Sequence, residues 1–175
     1  QSVFSLRGFA GEFRIGIPGE HSVLNATAAI ALVIGLIKQE RKEITVADLT
    51  VIRNSLASFK GAKRRSEILG EANGILFMDD YGHHPTAIHK TLKGIHEFYP
   101  NRRIIADFMS HTYSRTAALL NEFADAFSDA DMVVLHKIYA SAREKYTGSL
   151  DGKTLYEKTK NDLFENIADQ IEKSL

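Results

Sequence analysis

The sequence predicts an α/β fold, a mostly parallel sheet covered by helices, and three observations carry that prediction. From residue 75 onward, short apolar runs alternate with helical periodicities in the order strand, helix, strand, helix, strand, which is the pattern of βαβ units. The apolar stretches within "RRIIADF" and "MVVLHKI" read as buried strands. Hydrophobic residues make up 44% of the 175, enough for a chain of this length to bury a core.

Phe4 to Leu6 and Phe13 to Ile17 are expected as a hairpin ending at "PGE", residues 18–20. From His21 to about Lys38 the apolar residues surround nearly the whole circumference, so this helix is expected to pack on several sides. Thr45 has N-cap character, and Val46, Leu49, Ile52, Leu56 and Phe59 follow helical spacing. Glycine and four nearby cations in "SFKGAKRRSE" break the pattern, and a domain boundary is expected there, between residues 58 and 59. Ser66 to Glu71 and Ile75 to Met78 read as strands joined through Asn73-Gly74. Pro85 suits the first turn of a helix striped by Ile88, Leu92, Ile95 and Phe98 and stopped at Tyr99-Pro100. One amphipathic helix is expected through Leu119, Leu120, Phe123 and Phe127. Lys153 to about Lys160 and Phe164 to Lys173 complete the helices.

Twenty-two basic and 22 acidic residues cancel, so no global field draws the chain to nucleic acid or to an anionic membrane. The absence of cysteine excludes a disulfide framework and a thiolate metal site, and fits a cytoplasmic, reducing setting. The longest apolar run, "ATAAIALVIGLI", is shorter than the roughly 20 residues of a membrane span and reads as a buried helix.

In parallel α/β sheets, chemistry gathers beyond the carboxyl ends of the strands. "DDYGHH" (79–84) and "SHTYSRT" (110–116) both follow strands and are expected at one edge, with "YASAREK" following a third. Histidines and carboxylates at 80, 83 and 84 offer metal ligands, although one acid capping the helix at Pro85 would explain them as well. Arg115, entering a helix four residues after His111, suits a small anion; so does a plain helix start capped by Thr112 or Ser114. "GAKRR" (61–65) reads as a phosphate site or a solvated linker. His21 and Asn25 share a helix face, and an amide such as that of Asn25 has the donor and acceptor needed to read a purine; local capping by Ser22 is the simpler account.

Taken in order, "PGEHSVLNATAAIA", "FKGAKRRSEILG", "DDYGHHPTAI", "SHTYSRTAALLNEFADAF" and "IYASAREK" resemble the Mur ligases of peptidoglycan synthesis, specifically the branch that joins L-alanine to UDP-N-acetylmuramate. The resemblance covers about residues 12 to 145. It implies residues 1–58 as the end of a central ATPase domain and residues 59–175 as a C-terminal Rossmann-like domain. No G-x-x-G-K-[ST] P-loop is present in the sequence, so the chain alone is expected to be inactive. The family reaction is ATP-dependent amide formation through an acyl phosphate. Magnesium would be held mainly by central-domain residues outside this sequence, and the sugar nucleotide by an N-terminal domain.

Residue by residue, the resemblance implies nucleotide binding by His21, Asn25, Arg65 and Asp80, with Asn25 reading adenine, Asp80 at the ribose and Arg65 reaching the γ-phosphate. Tyr81, His83, His111 and Arg115 would form the alanine pocket, with Arg115 on the carboxylate and either His83 or His111 accepting the amine proton. None of these residues is assigned to a metal. Ser22, Ser66 and Met109-Ser110 depart from the family's usual asparagine, aromatic and Gln-Pro. The competing readings are a murein tripeptide recycling ligase, which would lack "HTYSRT"; a non-catalytic nucleotide-binding module; and a metal-dependent hydrolase.

Overall fold

Alternating apolar residues around Phe4 and Phe13 give the first hairpin. β1 (Ser2–Ser5) and β2 (Glu12–Ile15) pair antiparallel with Phe4 opposite Phe13, and their rings stack 5.7 Å apart. These strands begin the first of two compact units, Gln1–Tyr81 and Gly82–Leu175, in the computed structural model of the protein. The structure describes residues 1–142, 144, 145 and 147–159, so the predicted helix from Phe164 to Lys173 lies outside the described residues.

In the first unit α1 (Glu20–Arg41) buries Ser22, Ala26, Ile30 and Ile34, one residue every fourth position. That is a single stripe, and it corrects the expectation of a helix packed on several sides. Leu24, Leu32 and Leu36 are more than half exposed, because β2 and α2 meet only the stripe; Phe13, Ile30, Ile34 and Ile52 form this unit's core. By length and composition alone α1 is long and apolar enough to cross a membrane, since its polar ends extend the apolar run seen in sequence.

α2 (Val46–Ser58) starts at Thr45 with a reciprocal capping box. The Thr45 hydroxyl accepts from the Asp48 amide at 3.2 Å, and the Asp48 carboxylate accepts from the Thr45 amide at 2.9 Å, which satisfies two N-terminal donors. Arg53 on α2 donates to the Ala10 carbonyl and to that of Glu12, and its guanidinium lies 5.0 Å from the Phe13 ring centroid. It thereby ties the helix to the hairpin. β3 (Glu67–Ala72) and β4 (Ile75–Asp79) pair antiparallel through Asn73 at φ 51° and Gly74 at φ 76°, the left-handed pair that a two-residue hairpin turn requires.

The second unit opens with α3 (Pro85–Phe98), which has Pro85 in its first turn and Ile88 and Leu92 buried. β5 (Ile105–Phe108) and β6 (Met132–Leu135) pair in parallel. Just before the strands, the Ile104 amide donates to the Asp131 carboxylate at 2.7 Å and the Asp131 amide to the Ile104 carbonyl at 2.9 Å. The predicted single helix between them is two: α4 (Tyr113–Ala118) and α5 (Leu120–Asp125), broken at Leu119 with φ −123° and ψ 31°. The break lets Leu119, Leu120 and Phe123 all pack against the core of Ile88, Leu92, Ile104, Phe127 and Leu155.

Among the described residues, both strands are covered on one face only. Ala106, Phe108, Val133 and Leu135 meet the core, while Ile105, Met132 and Val134 are exposed. The expectation of fully buried strands is corrected accordingly: among the described residues, helices cover one side of this sheet.

Residues 152–159 are helical. Asp151 accepts from the amide and hydroxyl of Thr154, both at 2.8 Å. Gly152 lies so close to the preceding chain that a Cβ would sit 3.1 Å from the His136 carbonyl oxygen and the Lys137 Cα.

The described strands therefore form three two-stranded sheets, two antiparallel and one parallel. β4, read from sequence as the opening strand of the βαβ run, is hydrogen-bonded to β3. The architecture is mixed α/β.

Candidate functional site

In the first unit, the "GAKRRSE" turn and the end of β4 form one knot. Arg64 and Ser66 take left-handed backbone conformations, φ 57° and 46°, uncommon for residues with side chains. That geometry directs the Ser66 amide at Asp80, whose Oδ2 accepts it at 2.8 Å, with the Ser66 hydroxyl 3.4 Å away. The Arg64 carbonyl accepts from the Tyr81 amide at 2.8 Å. Its guanidinium lies 3.5 Å from Asp79 Oδ2 and 4.8 Å from the Tyr81 ring centroid.

Arg65 differs from its neighbour. Its amide closes a turn onto the Ala62 carbonyl at 3.2 Å, its side chain is exposed, and no ion pair among the described residues engages it. The charges alone mark a cationic pair here without separating its members; the family resemblance singles out Arg65, and the positive φ of Arg64 gives the two arginines different surroundings.

His21 and Asn25 sit at the start of α1, four residues apart, with Asn25 exposed. The His21 ring folds over Gly19, where a Cβ would lie 2.5 Å from Cε1 and 2.7 Å from Nδ1; Gly19, at φ 91°, is the helix N-cap. Ser22 is buried and its hydroxyl donates to the Pro18 carbonyl at 2.7 Å. Ser22 therefore fixes the helix entry from inside, with His21 half-buried beside it and Asn25 exposed one turn further on.

In the second unit, the residue that caps α3 is His84, whose Nδ1 accepts from the Thr86 amide at 3.3 Å. This corrects the expectation of an acid in that role. His83 is exposed. Among the described residues no group of three His, Asp or Glu side chains is gathered to hold a metal.

The "SHTYSRT" turn brings His111 and Arg115 together. Arg115 Nη1 donates to the His111 carbonyl at 2.5 Å, so the guanidinium is tethered to the turn that carries the imidazole. Beneath them, Ser110 and Thr116 are buried and their hydroxyls meet at 2.5 Å; Thr116 also donates to the Thr112 carbonyl at 2.7 Å. The helix start uses Thr112 as N-cap residue without a side-chain cap.

Its amides go instead to a residue the sequence did not single out. Glu144 Oε2 accepts from Tyr113 at 3.1 Å and Oε1 from Ser114 at 2.6 Å. Burial pushes the Glu144 carboxyl up, but the bonds from Ser114, Tyr113 and Thr112 outweigh it and lower it from 4.5 to about 2. Tyr139, on the same stretch, donates its amide to the Ser110 carbonyl at 2.8 Å and sets its ring 5.5 Å from that of His111. Only the loop "YASAREK", as a whole, was legible as a neighbour of this turn; nothing local marks a carboxylate whose partners lie 30 and 31 residues away.

This mixed α/β fold is shared by a family of ligases. The family model "Mur ligase, glutamate ligase domain" matches residues 64–174, more than half of the sequence, and the chain belongs to the Mur ligase family. Over 157 residues it is 66% identical to the UDP-N-acetylmuramate--L-alanine ligase of Treponema pallidum, covering 90% of this chain and 33% of that protein. To the protein of the same name in Caldanaerobacter subterraneus it is 43% identical over 149 residues, covering 84% of this chain and 30% of the relative. The crystal structure of UDP-N-acetylmuramate-alanine ligase from Thermotoga maritima matches with a TM-score of 0.65 at 29% identity, over 86% of this chain and 29% of that one. The chain thus spans about a third of the length of the curated relatives it matches.

Proposed function

We propose that this chain is part of an ATP-dependent ligase that joins L-alanine to UDP-N-acetylmuramate in peptidoglycan synthesis, with residues 1–58 the end of a central ATP-binding domain and residues 59–175 a Rossmann-like C-terminal domain. The observation that carries the reading is the "HTYSRT" turn, where an exposed imidazole and a tethered guanidinium stand together on a braced backbone. The relatives' names support the reaction and the substrates.

The sugar carboxylate attacks the γ-phosphorus of ATP; the new O–P bond forms as the β–γ bridging bond breaks and ADP leaves. The alanine nitrogen then attacks the acyl carbon, phosphate departs with the C–O bond, and the amine proton passes to a base. In the first unit, Asn25 reads adenine with His21 supporting the turn, Asp80 accepts from the ribose, and the open Arg65 stabilises charge on the transferring phosphoryl group. In the second, Arg115 forks onto the alanine carboxylate, Tyr81's neighbour turn contributes His83, and His83 or His111 takes the proton. Tyr81 itself, whose ring centroid lies 4.8 Å from the Arg64 guanidinium, borders the amino acid.

The described side chains of this chain do not fit a resident magnesium site. That ion belongs with the ATP phosphates and with residues outside this sequence, and no step here runs through it. By itself this chain is inactive. We read the protein as a soluble, cytoplasmic enzyme without membrane insertion; the packing of Ile30 and Ile34 of α1 into the first unit's core supports a folded helix there.

The test is phosphate release by the full-length protein with ATP, magnesium and UDP-N-acetylmuramate, comparing L-alanine with murein tripeptide. Release with L-alanine is expected. Release with tripeptide alone would make this the recycling ligase, and silence with both would leave a nucleotide-binding module.

A further inference from the structure

Two short segments of the second unit are bound to each other at both ends. The Tyr139 amide holds the Ser110 carbonyl at 2.8 Å, and the Glu144 carboxylate holds the amides of Tyr113 and Ser114 at 3.1 and 2.6 Å. His111 lies between the two attachments, and the Arg115 guanidinium is bonded to its carbonyl. Glu144 is itself set by a turn, its amide donating to the Ser141 carbonyl at 2.9 Å. A carboxylate that accepts two adjacent amides, one per oxygen, fixes both the position and the rotation of those peptide planes, and the side chains of 111 and 115 follow.

We propose that Glu144 is a positioning residue for the amino-acid substrate: its carboxylate locks the turn that aims His111 and Arg115. The proposal rests on the reading that this turn receives L-alanine. It does not require Glu144 to touch the substrate, because both of its oxygens are already engaged with backbone. Misplacing a clamp by an ångström can cost about a hundredfold in rate. Half-exposed and on a loop, Glu144 is outside the core of Ile88, Leu92, Phe123 and Phe127.

The chemistry separates three replacements. Glu144→Ala removes both acceptors. Glu144→Gln keeps one acceptor but turns an NH2 toward the second amide, so only half of the lock survives. Glu144→Asp keeps the charge on a shorter stem and recovers one bond or both with strain.

Two measurements on the full-length protein test this. In Glu144→Ala, hydrogen exchange of the Tyr113 and Ser114 amides accelerates by about tenfold or more, and the L-alanine KM in phosphate release rises between about tenfold and a hundredfold. The ATP KM stays within about twofold, and Glu144→Gln and Glu144→Asp fall between Ala and wild type on both readouts. Unchanged exchange overturns the lock whether or not alanine is the substrate. Accelerated exchange with an unchanged L-alanine KM, or with ATP and alanine constants rising together alongside a lowered melting temperature, overturns the positioning role. Wild-type protein that ignores alanine sinks the functional reading instead, and the exchange result still decides the lock.

Discussion

The turns at 64–66 and 110–115 each place a carboxylate on backbone amides, but the carboxylate has opposite standing in the two. Asp80 accepts the Ser66 amide and is itself the candidate for ligand binding, so the backbone serves the acid. Glu144 accepts the Tyr113 and Ser114 amides and the candidate residues are His111 and Arg115 on the turn, so the acid serves the backbone. The same contrast divides the arginine pair. Arg64 is spent on Asp79 and Tyr81, while Arg65 is left open. The resemblance names Arg65 as the acting member, and the partners of Arg64 give a physical reason why its neighbour is not.

The largest effect should come from breaking the division within the arginine pair. Arg65→Ala in the full-length protein lowers kcat about a hundredfold or more with a smaller change in ATP KM, as loss of a group that stabilises the transferring phosphate requires. Arg64→Ala, which removes an exposed ion pair and a ring contact each worth at most about 1 kcal/mol, keeps kcat within about threefold. Steady-state kinetics of the two variants check this, and an inverted pattern would exchange their roles.

Next in size is Asp80→Ala, which strands the amide of buried Ser66 and costs about 1–3 kcal/mol of stability in denaturant titration. Asp80→Asn retains an acceptor oxygen and loses less. Equal losses would mean that the Ser66 bond contributes nothing.

Thr45→Ala opens the capping box and costs about 1 kcal/mol, the smallest of these effects. It has a pH signature. The hydroxyl and then the amide of Thr45, followed by Arg41, hold the Asp48 carboxyl at about 2 against an ordinary 3.8. A depressed native pKa contributes stability that is present above about pH 4 and is lost as pH falls toward 2. The denaturation midpoint of wild type should fall over that window more than that of Asp48→Asn, and parallel curves would remove the cap from the account.

What the sequence made legible was local. Thr45 as an N-cap, Asn73-Gly74 between two apolar runs and Pro85 at a helix start each determine their own turn through neighbours within a few positions, and the structure has all three. Illegible features depended on distant partners. The buried stripe of α1 could not be separated from its exposed leucines without knowing that β2 and α2 cover one side. The break at Leu119 follows from packing two adjacent leucines on one core, against helical propensity. Within the candidate sites, His111 with Arg115 was readable from spacing, but the service of Ser66 to Asp80 is a backbone effect set by φ, and that of Glu144 spans 30 residues.

The central proposal is that the His111–Arg115 turn receives the amino acid while Asn25, Arg65 and Asp80 serve the nucleotide. The most direct measurement is the L-alanine and ATP dependence of phosphate release by full-length Arg115→Ala. The account predicts an L-alanine KM raised by about 10-fold to 1,000-fold, the equivalent of about 1.5 to 4 kcal/mol of charged hydrogen bonding, with the ATP KM unchanged. An unchanged L-alanine KM, or a rise confined to ATP, would contradict it.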